Sequence, residues 1–128
     1  MRIGFTGTGQ GINDEQIEAV GKKLRELGAT ELHQGDCVGA DATSNAIAAG
    51  LGIKTVQHPP TNPKARAFTK CDEVRPAKPY LERNRDIVDE CEHLIACPLT
   101  RQEHLRSGTW STIRYARKQG KPMTIIFP

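Results

Sequence analysis

Arg106-Ser107-Gly108-Thr109-Trp110 is the stretch of this chain best equipped for chemistry. It follows an apolar run closed by Pro98 and a polar loop, and it opens a helical pattern. A hydroxyl residue and a glycine at a helix start leave backbone N–H groups unpaired and within reach of a ligand. Such an end suits a phosphate. The helix dipole alone supplies roughly 0.3–2 kcal/mol there, and charge-assisted hydrogen bonds add to it. Ser107, Gly108 and Thr109 are therefore expected to seat an anion, whereas Trp110 is expected in the core.

Two further glycine turns carry polar groups. Gly7-Thr8-Gly9 permits close backbone approach to a ligand, with the Thr8 hydroxyl as a donor. The same glycines would also serve a tight strand-to-helix turn. Gly4 and Gly9 have the spacing of an ATP-binding phosphate loop, but Gln10 stands where its lysine should be. Gly7-x-Gly9 begins a dinucleotide fingerprint, but Ile12 occupies the third glycine position. Neither phosphate-loop hydrolysis nor plain NAD binding is expected. The second turn, Gly35-Asp36-Cys37-Val38-Gly39-Ala40-Asp41, brings two carboxylates. Asp36 at a strand end is placed to hold ribose hydroxyls; Asp41 can do the same or cap its own helix. Arg83 and Asn84 open a later helix, where a guanidinium fork suits phosphate and an amide suits a ribose or base edge. Arg85 lies two positions from Arg83, so the two point in different directions.

No catalytic constellation emerges. His33, His93 and His104 read as bland, and His58, before Pro59-Pro60, sits at a strand end within reach of the site. Cys37, Cys71, Cys91 and Cys97 form no CxxC pair. Reduced thiols are the expectation. A metal held by Cys91, His93 and Cys97 is disfavoured because a strand alternates their faces. No metal and no cofactor are expected.

The elements that must position these groups alternate regularly. Arg2 to Thr6 reads as a strand. Asn13 and Gln16 have capping-box spacing before a helix with Ile17, Val20, Leu24 and Leu27 on one face, closed by Gly28. Thr30 to Gln34 is a strand, Asp41 to Ala49 an alanine-rich helix, and Ile53 to Gln57 a strand. His58 to Pro79, with five prolines, breaks the rhythm. So long an irregular segment is usually functional, and it is expected to act as a flap or a partner-contacting arm. A helix from Tyr80 to Glu90, a strand from His93 to Cys97, a helix from Thr109 to Gln119 and a strand from Pro122 to Phe127 complete the series. The expectation is α/β: a single Rossmann-like doubly wound domain over residues 1–128, with about five mainly parallel strands and helices on both faces. Ligands of such sheets bind at the carboxyl ends of the strands, which is where all three turns fall.

The chain has 128 residues and a net charge of +3, which gives little support for a nucleic-acid groove. No apolar run is long enough for a membrane span. The N-terminus passes directly into a strand pattern without signal-peptide architecture, so the cytoplasm is the expected location.

Taken together, the motifs resemble the SLOG superfamily of Rossmann-like nucleotide-binding domains, and in particular the core of DNA-processing protein A (DprA). Its pattern is matched by Gly7-Thr8-Gly9, Gly39-Ala40-Asp41, Arg83-Asn84-Arg85 and Ser107-Gly108-Thr109, with Gly120 and Pro122 behind. The resemblance spans nearly the whole chain. It implies a nucleotide or nucleotide-derived ligand at the strand ends, touching Gly7, Thr8, Gly9, Gly35, Asp36, Gly39, Asp41, Arg83, Asn84, Ser107, Gly108 and Thr109. A homodimer is the expected assembly. The superfamily's LOG-type phosphoribohydrolases cleave the N-glycosidic bond of a nucleoside monophosphate, using a glutamate; here Thr112 stands at that position, leaving Asp36 or Asp41 as substitutes. Single-stranded DNA binding is the third alternative, because DprA binds it.

Overall fold

The computed structural model describes residues 1–128. The strands are β1 (Arg2–Gly7), β2 (Glu31–Gln34), β3 (Lys54–Gln57), β4 (Glu73–Val74), β5 (His93–Cys97) and β6 (Met123–Ile125). The helices are α1 (Asp14–Glu26), α2 (Ala40–Gly50), α3 (Tyr80–Glu90) and α4 (Gly108–Lys118). All six strands lie in one parallel sheet of order β4-β3-β2-β1-β5-β6. The chain winds outward from β1 through β2 and β3 to β4, then returns to the other side of β1 for β5 and β6. The order therefore reverses between β1 and β5.

Alternation along β1 divides the core. Ile3 and Phe5 pack with Val20 and Leu24 of α1, Ala40 and Ala48 of α2, and Leu32 of β2. On the opposite face Val88 of α3 and Ala116 of α4 cover Leu94, while Trp110 and Ile113 of α4 cover Ala96. The apolar spacing read from α1 thus faces the sheet. Its capping box is formed, with Gln16 N donating to Asn13 Oδ1 at 2.8 Å and Asn13 N donating to Gln16 Oε1 at 3.0 Å. The Gln16 amide also donates to Ile126 O, tying the first helix to the last strand.

The sequence pattern gives five strands and the structure has six. The extra one, β4, lies inside the proline-rich segment and pairs Glu73 with Val56 and Val74 with Gln57. The rest of that segment is pinned rather than free. Asp36 accepts from Arg66 Nε at 2.8 Å, from Thr69 N at 2.8 Å and from Thr69 Oγ1 at 2.7 Å. Gln57 Oε1 accepts from Arg66 Nη2, and its Nε2 donates to Thr69 O. No helix is long and apolar enough to cross a membrane.

Candidate functional site

The three turns converge. A cleft of about 570 Å³ opens where strand order reverses, beyond the carboxyl ends of β1 and β5. That position and size suit a small-molecule site.

Close packing between the first and second turns builds its floor. A Cβ on Gly7 would lie 2.5 Å from Ala40 Cβ, so only glycine lets α2 come this near to β1. Gly39 has φ +89°, and a Cβ there would lie 2.5 Å from Gly9 O. Ala40 N donates to Thr8 O at 3.0 Å, fastening the start of α2 to the first turn. The Thr8 hydroxyl accepts from Gln10 N at 3.1 Å.

α4 supplies the opposite wall. Ser107 is its N-cap, and its hydroxyl accepts from Trp110 N at 3.2 Å. Ser111 N is taken by Ser107 O. The N–H groups of Gly108 and Thr109 remain unused by protein acceptors, as expected of a first helical turn. Thr112 lines the cleft, and its hydroxyl is turned back to Gly108 O at 3.0 Å.

Of the residues expected in the site, Gly7, Thr8, Gly9, Gly35, Asp41, Arg83, Asn84, Ser107, Gly108 and Thr109 line the cleft. Gly39 and Asp36 do not. Gly39 shapes the floor from behind. Asp36, placed by its strand-end position as a ribose ligand, is fully buried with φ 58°, and its carboxylate is saturated by Arg66 and Thr69. It anchors the 58–79 segment. Arg83 is on the wall but is largely engaged: Nη1 donates to the carbonyls of Gly35 and His58, and Nε donates to Asn84 Oδ1 at 2.7 Å. Arg85 points elsewhere, over the ring of Tyr115.

The sequence reading missed the apolar lining, chiefly Phe5, Tyr80, Ile87 and Leu99. It also assigned Trp110 only to the core. Trp110 is 4% exposed and does pack on Ala96, but it borders the cleft as well. Its indole N–H is buried without an acceptor. Buried donors are seldom left so.

Asp41 is the one carboxylate in the lining. Burial pushes its carboxyl up to about 6, with Asp36 reinforcing the effect, against the Cys37 N–H and the Arg83 charge. Burial likewise raises the Cys37 thiol, which keeps it protonated. The cleft thus combines helix-end donors, an apolar wall and an acid that burial lifts to about 6.

No protein-family model matches the chain, and no curated protein sequence matches it. Solved structures do. The molybdenum cofactor binding protein of Rippkaea orientalis superposes with a TM-score of 0.77 at 21% identity, over 99% of this chain and 76% of that one. The molybdenum cofactor carrier protein of Chlamydomonas reinhardtii gives 0.70 at 18% identity, over 99% and 76%. DprA of Helicobacter pylori, described for its single-stranded DNA binding, gives 0.69 at 20% identity, over 98% and 64%. The α/β Rossmann-like architecture implied by the SLOG resemblance is the fold these proteins share with this chain.

Proposed function

We propose that the cleft binds a nucleotide or nucleotide-derived ligand, with its phosphate on the Gly108 and Thr109 N–H groups and the Ser107 hydroxyl. The observation that carries this reading is the unused first turn of α4 facing the Gly7-Thr8-Gly9 turn across one cleft. A planar ring has an apolar wall at Tyr80, Ile87 and Trp110. Asn84 and Asp41 offer acceptors for ribose hydroxyls. Structural neighbours named for the molybdenum cofactor and for single-stranded DNA support a binding role for this fold.

A thermal-shift screen of mono-, di- and cyclic nucleotides and short oligonucleotides tests it, since a ligand of the native state raises its melting temperature. Gly108→Asp is the decisive variant. A Cβ at Gly108 meets nothing within 4 Å, and a carboxylate in a first helical turn favours the helix. The variant should fold normally and lose at least about tenfold in affinity, about 1.4 kcal/mol. A ligand response left intact in Gly108→Asp refutes the phosphate seat, and a response confined to oligonucleotides moves the reading to DNA.

A second reading rests on Asp41. A carboxyl poised near neutrality beside the ligand is suited to acid–base work. In that case the protein cleaves the N-glycosidic bond of a nucleoside monophosphate, with Asp41 in place of the missing glutamate. Release of free base by the wild type and not by Asp41→Asn supports it; no release by either removes it.

A further inference from the structure

A second polar concavity lies on the α3 face of the sheet and shares no lining residue with the cleft. His33 of β2 and Glu90 at the end of α3 line it, and His58, just past β3, touches both. His33 Nδ1 and His58 Nε2 are 2.8 Å apart. Glu90 Oε2 is 3.4 Å from His33 Nδ1 and 3.2 Å from His58 Nε2. Both imidazoles are buried, at 1% and 3% exposure, while Glu90 reaches solvent.

We propose that His33, His58 and Glu90 form a binding site for a divalent transition-metal ion of the zinc class. The three atoms form a triangle with edges close to what such an ion needs. Tetrahedral zinc with bonds of about 2.0–2.1 Å places its ligand atoms roughly 3.3 Å apart. The two carboxylate edges already have that length, and the imidazole edge must open by about half an ångström. The surroundings also prepare the ligands. His33 Nε2 lies 2.8 Å from Glu31 Oε1. A carboxylate can only accept, so Nε2 carries a proton, and in the neutral ring the Nδ1 lone pair faces the site. A carboxylate behind a metal-binding imidazole is the usual orienting arrangement. His58 ligates through Nε2 in the tautomer that carries its proton on Nδ1. The competing group is Arg75, whose Nε lies 3.4 Å from the same Glu90 oxygen.

Three protein ligands leave a fourth position for water. Two imidazoles and a carboxylate are borderline donors that favour zinc, cobalt or copper over magnesium or calcium.

The test is Zn²⁺ titration of metal-free protein against a chromophoric chelator, with Co²⁺ as a spectroscopic probe. One equivalent should bind, and Co²⁺ should give visible d–d bands without thiolate charge transfer. Glu90→Gln and His58→Gln should each weaken Zn²⁺ by at least about a hundredfold, and Glu31→Gln by about 10–100-fold. Arg75→Ala should strengthen it. Glu90 sits at a half-exposed helix end, so Glu90→Gln keeps the fold, and circular dichroism confirms that. Absence of a stoichiometric site, equal affinity in Glu90→Gln, or loss of the site in Cys37→Ser overturns the proposal. Nucleotide binding has no part in this measurement, so it stands or falls separately from the cleft.

Discussion

Replacing Asp41 by asparagine should make the protein more stable at neutral pH, although it removes a buried charge with a hydrogen-bond partner. Asp41 is 6% exposed and accepts from Cys37 N at 3.2 Å. Burial still outweighs that bond, lifting the carboxyl from 3.8 to about 6. In the unfolded chain it titrates near its ordinary value. Between about pH 4 and 6 the native state therefore holds a proton that the unfolded state has released, and stability from this group falls as pH rises through that window. Two units correspond to roughly 3 kcal/mol. Below about pH 4 both states are protonated and the cost vanishes; above about pH 6 it is fully present. Asparagine keeps an acceptor for Cys37 N–H and never ionises. Urea denaturation of wild type and Asp41→Asn across this range gives the difference directly, because all other titrating groups are common to both proteins. The variant's advantage should grow from near zero to roughly 3 kcal/mol and then level off. A flat difference, or one in which wild type gains as pH rises, refutes the reasoning and shows the Asp41 carboxylate to be a stabilising charge.

Two further substitutions probe the frame around the cleft. Gly7→Ala puts a methyl 2.5 Å from Ala40 Cβ and should cost about 1–3 kcal/mol in a denaturation midpoint, because α2 must back away from β1. Asp36→Ala strips Arg66 and Thr69 of their shared acceptor; it should cost about 3 kcal/mol, and trypsin should cut at Lys64, Arg66 or Lys70 well before the sheet unfolds.

The alternating helices and strands were legible because each end carries local punctuation: the Asn13–Gln16 box, Gly28 after α1, and Ser107 before α4. β4 was not, because two residues among prolines make no periodic signal, and they become a strand only by pairing with β3. The cleft was legible as three turns because parallel strands bring their carboxyl ends together. Its apolar wall was not, since Tyr80, Ile87 and Leu99 look like ordinary helix and loop residues until the sheet closes. Asp36 misled for a conformational reason. A strand-end carboxylate ordinarily faces the ligand, but its positive φ turns this one into the 58–79 segment. His33, His58 and Glu90 lie far apart in sequence, and only the register that sets His33 beside Val56 brings the first two together.

The chain contains a single tryptophan, and Trp110 is at the cleft wall. Tryptophan fluorescence, excited to the red of the absorption of the two tyrosines, consequently has one source, located where an occupant would sit. Quenching or a spectral displacement on adding a compound would report occupancy in unmodified protein, without any attached dye and without a background from indoles elsewhere.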